Sequence, residues 1–326
     1  MRAMAFCAFG GPEVLAPVAL PVPEPGPGQV RAAVNHASAN PADAKTCRGL
    51  LARYITCNFP FVPGFDLAGT VDAVGPGVTQ WAVGDAVFGT SRVGQGANGS
   101  FAQYTLADVA MLAPLPAGIS SAQAACLPTA GTTALGGLTD VGRLCAGQTV
   151  LINGGAGGVG SIAIQIANHL GARVLATCSA HNIRHVMDLG ADLAIDYRTG
   201  DVVAAVRAQC SDGVDLVLDA VGQGTLSPQA DRLVRRGGAF VAIETLICEP
   251  DPADVARAGA AGVRVVSNMV AIDRLPDQLR RLGDLAAQGV VCAPVHAIIP
   301  LRDLGKALRM IETGHTRGKI AISVAG

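Results

Sequence analysis

The 326-residue chain has little charge, few aromatic side chains and no paired-cysteine motif. Charged residues make up 15%, aromatics 4%, and the formal net charge is -1. With no basic excess and no Lys/Arg cluster, general attraction to nucleic acid or to an anionic membrane is not expected. No run of about twenty uninterrupted apolar residues occurs, so no membrane-spanning helix is expected either. The start, MRAMAFCAFGGPEVL, lacks the pattern of charged beginning, long apolar middle and cleavage site that marks a secretory leader. A cytoplasmic protein is the expectation. The nine cysteines (7, 47, 57, 126, 145, 178, 210, 248 and 292) are odd in number, scattered, and never spaced C-x-x-C. They predict free thiols rather than disulfides or a metal cluster.

What the chain does have is hydrophobic residues, at 50%, and enough length for two domains. That combination suits an α/β sheet covered on both faces. Residues 1–121 are rich in Gly, Pro and short β-like runs (GQVRAAVNH, DLAGTVDAVG, DAVFGT), as in an irregular β domain. From 122 to 269 the strand-like TVLIN, ARVLAT, LAIDY, VDLVLDAV, GAFVAIE and VRVVSN alternate with helical patterns, which predicts βαβ units and a parallel sheet. Residues 270–326 return to mixed structure: LPDQLRRLGDLAAQG helical, APVHAIIPL extended, RDLGKALRMIETG helical, GKIAISV a closing strand.

The stretch Val150–Ser161, VLINGGAGGVGS, carries glycines at 155, 157 and 160 between a strand-like and a helix-like segment. A glycine-rich loop alone can serve close helix–sheet packing and nothing more. Set after a strand and before a helix, G-x-G-x-x-G reads as a dinucleotide site. The first glycine permits the turn, the second lets a pyrophosphate approach the backbone, and the third lets helix and strand pack closely. Gly155, Ala156, Gly157, Gly158, Val159 and Gly160 therefore form the expected phosphate cradle, facing a helix N-terminus. A second strand, ARVLAT, runs into CSAHNIRH, with Ser179 where an NAD site usually places a carboxylate for the ribose. Ser179 and Asn182 can donate to a 2′-phosphate and Arg184 or His185 can add charge; Arg184 can equally be a solvated helix-face residue. The expected cofactor is NADPH.

The ordered segments FGGPEVL, NPADAKTCRG, FVPGFDLAGTVDAVGPGV, VGDAVFG, GGAGGVGSIAIQIA, LGADLAIDY, DLVLDAVG, RRGGAF and HTRGKIAISV cover nearly the whole chain. Together they resemble the quinone oxidoreductase branch of the medium-chain dehydrogenase/reductase superfamily. The resemblance implies a GroES-like catalytic domain (1–121 and 270–326) around an inserted Rossmann domain (122–269), with the active site in the cleft between them. It also implies a homodimer joined at an edge of the Rossmann sheet, for which AFVAIETLI and VRVVSNMV are apolar enough. Tyr197 matches a tyrosine that relatives use against the 2′-phosphate, or is a packing aromatic. Thr129, Thr133, Val221 and Ile243 are further cofactor-contact positions that the resemblance implies.

Zinc-dependent relatives hold a catalytic metal at three positions that are occupied here by Asn40, Phe65 and, near the third, Thr129. None is a good zinc ligand, so a zinc-independent enzyme is expected. Without a Lewis acid, reduction of an activated acceptor remains: hydride transfer to a quinone or to an α,β-unsaturated carbonyl compound, with donors for the charge on oxygen. Asn40 is either such a donor or a turn residue before Pro41. Thr133 resembles a threonine that touches the nicotinamide, or bonds its own helix. Tyr54 is either a proton donor or a cleft-wall aromatic, and RGLLARY displaces it from the position relatives use. Asp43 and Lys45 read as an ion pair or cap. Two other functions stay open: a nucleotide-binding redox sensor with little catalysis, and an enoyl-thioester reductase, for which no basic patch stands out.

Overall fold

The computed structural model describes residues 1–94, 99–243, 249–268 and 272–324. The chain divides into two units, Met1–Thr129 with Ile272–Gly326, and Ala130–Ala271. The sequence placed its first division at 121/122. The structure keeps helix α2 (Ser121–Ala125) with the first unit, packed on strands of that unit's sheet, and the division instead falls within α3 (Pro128–Leu135).

The first unit begins with β1 (Arg2–Ala5), β2 (Ala16–Ala19), β3 (Gln29–Ala39), β4 (Asp66–Val74), β5 (Ala86–Thr90), β6 (Tyr104–Asp108) and β7 (Leu112–Pro114). The second unit contributes β8 (Thr149–Asn153), β9 (Arg173–Cys178), β10 (Leu193–Asp196), β11 (Val214–Asp219), β12 (Val234–Ala242) and β13 (Arg264–Ser267). The tail returns to the first unit as β14 (Val295–Pro300) and β15 (Lys319–Ser323).

In the first unit a sheet runs β14-β15-β3-β4-β5-β7, with β6 also paired to β3, and β1 pairs with β2. β3 alternates in burial over Gln29–Val34, as a half-buried strand should, and sends Val30, Ala32 and Val34 into a core with Phe6, Leu67, Phe101, Ile320 and Ile322. Register is what places the chemistry. In the antiparallel pairing of β15 with β3, Ile320 faces Ala39, and in that of β4 with β3, Asp66 faces Ser38. One end of three neighbouring strands thus gathers Asn40, Asp66 and Lys319, which are remote in sequence.

The second unit is a wholly parallel sheet of order β10-β9-β8-β11-β12-β13. Each predicted strand of this unit is present. Its order reverses beside β8, and the glycine loop leaves the carboxyl end of that strand, at the switch point where doubly wound sheets take ligands. The central strands β8, β9 and β11 are apolar over most of their length, as in a sheet covered on both faces; Leu151, Leu175, Val217 and Phe240 are buried in one core. Burying each such side chain contributes roughly 1.5–3 kcal/mol. Among the described residues no helix is long and apolar enough to cross a membrane.

Candidate active site

In the second unit, β8 ends in a tight turn and α4 (Gly158–His169) begins at once, with Gly157 as its N-cap. The residue that takes the left-handed turn is Gly154, at φ 79°, one before the position read from the motif. Gly155 serves packing: a Cβ there would lie 2.9 Å from Ala176 Cβ. At Gly160 a Cβ would lie 2.2 Å from Gly154 O, so this glycine alone lets α4 press against the turn. At Gly157 the nearest atom to an added Cβ is 3.4 Å away, and the space beyond is open for a ligand. The first-turn N–H groups of Gly158, Val159 and Gly160 are those an α-helix leaves unpaired, and with the helix dipole they favour an anion.

A polar relay fixes this loop. Thr177 Oγ1 donates to Asn153 Oδ1 at 2.6 Å and accepts from Gly154 N at 3.0 Å. Asn153 Nδ2 donates to Asp219 Oδ1 at 2.7 Å, and the same oxygen accepts from Val221 N (3.1 Å) and Gly222 N (3.0 Å). Val221 is thereby held over Gly154, where its Cγ2 would meet an added Cβ at 2.7 Å. Ile243 N donates to Asp219 O at 3.2 Å. Sequence reasoning missed Asn153, Thr177 and Asp219. The signal was present: each is a polar residue closing or nearly closing an apolar strand.

At the end of β9, Ser179 is buried, its Oγ accepting from Asn182 Nδ2 at 3.2 Å and 3.3 Å from His181 Nε2. Tyr197 N donates to Cys178 O at 3.3 Å, which sets Tyr197 next to that strand end. Its ring is half exposed with the Arg198 guanidinium 5.8 Å from the centroid, a cation the sequence reading did not single out. Arg184, in α5 (Ile183–Asp188), is fully in solvent beside Asp188 at 3.8 Å. Thr133 lies buried in α3, its carbonyl accepting from Asn268 Nδ2 at 2.9 Å. The predicted edge segments AFVAIETLI and VRVVSNMV divide: β12 is paired on both sides, β13 is at one edge of the sheet, and residues 244–248 and 269–271 lie outside the described residues.

In the first unit Asn40 is the N-cap of α1 (Pro41–Cys47) and is buried. Its Nδ2 donates to Asp66 Oδ2 at 2.9 Å and to Ser38 O at 3.3 Å, and its Oδ1 accepts from Lys319 Nζ at 2.5 Å. An ammonium only donates, so the amide orientation is fixed. Asp66 Oδ1 in turn accepts from Thr129 N (3.0 Å) and Thr129 Oγ1 (2.5 Å). Asp43 caps α1, its Oδ2 taking the Asn40 N–H at 2.7 Å. Burial pushes the Asp43 acid up to about 8. Burial also raises Asp66, while Lys319, Thr129 and Asn40 pull it back down. Burial raises the Cys47 thiol to about 12, which makes it inert. His36, on β3, keeps Nδ1 2.8 Å from Ser121 Oγ. Tyr54 stands apart in a half-exposed turn, with the Arg53 guanidinium 4.6 Å from its ring centroid.

Two family models match the chain: Alcohol dehydrogenase GroES-like domain over residues 26–117 and Zinc-binding dehydrogenase over residues 189–322. Over 99% of its length the chain is 33% identical to the chloroplastic NADPH-dependent alkenal/one oxidoreductase of Arabidopsis thaliana, covering 79% of that protein. A solved structure of the quinone oxidoreductase from Coxiella burnetii shares 32% identity, a TM-score of 0.88 and 99% coverage of both chains. The chain belongs to the quinone oxidoreductase branch of the medium-chain dehydrogenase/reductase superfamily. The chain is also similar to part of a larger protein: 92% of it is 34% identical to a segment, 14% of the length, of a mycocerosic acid synthase-like polyketide synthase of Mycobacterium tuberculosis.

The name of the second family model raises zinc, and the donor set here does not fit it. At the first two positions that the resemblance marks stand an amide and a phenyl ring, with a hydroxyl near the third, and Phe65 packs against the apolar core. The amide oxygen of Asn40 is taken by Lys319, and the hydroxyl of Thr129 is committed to Asp66.

Proposed function

We propose that the chain is a zinc-independent, NADPH-dependent oxidoreductase that passes hydride to a quinone or to an activated α,β-unsaturated carbonyl compound. The observation that carries the cofactor reading is the end of β9. In a glycine-turn Rossmann unit, Ser179 there offers a hydroxyl where a carboxylate would repel a 2′-phosphate. NADPH bound there supplies the hydride. Gly157 and the first-turn N–H groups of α4 hold the pyrophosphate, and Ser179, Asn182 and Tyr197 take the 2′-phosphate, with Arg198 and Arg184 adding charge from the solvent side. Val221 and Ile243, fixed through Asp219, line the nucleotide.

Charge developing on the acceptor oxygen calls for hydrogen-bond donors. Tyr54 and Thr133 are our candidates. Asn40, whose amide hydrogens are committed to Asp66 and Ser38 O, serves instead to hold the local frame, as does Thr129. We also assign the protein to the cytoplasm, where the free thiols stay reduced, and to a homodimer. We keep enoyl thioesters as a second acceptor class, since a segment of a polyketide synthase is among the sequences this chain resembles.

One assay tests these readings: oxidation of NADPH and NADH with a panel of quinones, enals, enones and an enoyl thioester, with products identified. NADPH is expected to be preferred in kcat/KM by on the order of 1–3 kcal/mol, since the phosphate meets mostly neutral donors. Equal values or a preference for NADH overturn the cofactor reading. Saturable binding without turnover makes the chain a sensor, and stoichiometric zinc required for turnover ends the metal-free mechanism.

A further inference from the structure

Lys319 is the feature that the proposed activity leaves unexplained. Its side chain is 6% exposed, although a lysine stem is long enough to carry its charge to water. Nζ donates to Asn40 Oδ1 at 2.5 Å and to Ala39 O at 3.1 Å, and stands 3.9 Å from Asp66 Oδ2. A buried ammonium is costly unless its charge is compensated and its hydrogens are used. Charge balance with Asp66 is one use of it, but a direct ion pair would not need an amide in between. Here the amide is in between: the ammonium holds Oδ1, and Asp66 Oδ2 holds Nδ2. The two opposite charges sit at opposite ends of the Asn40 dipole and polarise it along one direction. Turning the amide over would set its NH2 against the ammonium and its oxygen against the carboxylate. Asp66 then passes the constraint on, since its other oxygen holds both the N–H and the hydroxyl of Thr129.

We propose that Lys319 is a positioning residue that locks Asn40 and, through Asp66, Thr129 in the orientation turnover requires. The inference rests on the oxidoreductase reading above.

The test uses the whole protein with NADPH and whichever acceptor the panel identifies. Lys319→Met keeps the stem's volume without its charge, and Lys319→Ala opens a space that propylamine matches. In both variants kcat is expected to fall on the order of a hundredfold, as misplacement of a supporting group does, with NADPH affinity unchanged because the glycine loop shares none of these residues. Propylamine should restore turnover to the alanine variant, and tetramethylammonium, a cation with no N–H to donate, should not. Full turnover in a folded Lys319→Met variant overturns the inference. So does equal rescue by tetramethylammonium, which would reduce Lys319 to charge balance, and so does propylamine that restores the melting temperature but not kcat. A wild-type protein that binds NADPH yet turns over no acceptor sinks both readings, whereas normal wild-type turnover with unimpaired variants sinks this one alone.

Discussion

Asp43 shows how one side chain carries both a structural and a titrating role. Its carboxyl accepts the Asn40 N–H that starts α1, and burial raises it to about 8 from the ordinary range near 4. A folded-state value above the unfolded one means that the folded protein holds the proton more tightly. The resulting stabilisation is complete below about pH 4 and is lost as pH rises through 8. Asp43→Asn keeps an oxygen for the Asn40 N–H and removes the titration. The difference in unfolding free energy, wild type minus variant, should therefore decline between pH 5 and 8 in urea titrations; a flat or rising difference would contradict the assignment. The capping role of Asp43 was legible from NPADAK, because it depends on residues three apart. The commitment of Asn40 was not legible, because its partners are Asp66 and Lys319, brought in by the register of β4 and β15 across long sequence gaps. The same holds for Asn153, Thr177 and Asp219, whose relay crosses three strands.

On the scale of elements, the strand–turn–helix of β8 and α4 followed directly from hydrophobic runs broken by glycines, and the parallel sheet followed from six such alternations. The duty of each glycine did not. Motif spacing marks Gly155 as the turn, but the positive φ is at Gly154, and only the approach of β9 shows that Gly155 is needed for packing on Ala176. The structure separates two roles that one motif merges. Gly157→Ala meets its nearest atom at 3.4 Å, with φ −77° that alanine adopts freely, so folding stability should change by less than about 0.5 kcal/mol. Its methyl group projects into the open space proposed for the pyrophosphate, and NADPH affinity should fall about tenfold or more. Gly160→Ala drives a methyl to 2.2 Å from Gly154 O and should cost roughly 1–3 kcal/mol of stability in addition to affinity. Thermal melts with calorimetric titration of NADPH check both. Equal stability losses in the two variants would show that the glycines share one role.

For the whole molecule, the sequence revealed a β-rich segment, an alternating segment and a mixed tail, but not that β15 closes on β3, a pairing between the two chain ends that composition cannot express. It also did not show which strands end the sheet of the second unit. Among the described residues these are β10 and β13; β13 lies in a segment the resemblance marks for the dimer, β12 is its single strand neighbour, and Val265 and Val266 are half-buried. Asn268 N donates to Ala242 O, so by the alternation of a parallel ladder the N–H groups of 264 and 266 also face β12. Those of Val265 and Ser267 face outward. With no strand partner among the described residues, they make a template for another strand, and the commonest solution is a two-fold axis that sets two copies of β13 antiparallel in one continuous sheet. We therefore expect light scattering at micromolar concentration to give twice the chain mass. Val265→Pro removes an outward N–H and leaves the β12 ladder intact, since proline is tolerated at sheet edges. It should convert the dimer to a monomer with its NADPH binding retained. A wild-type monomer would refute the dimer, and a proline variant that stays dimeric while folded would move the interface to another surface.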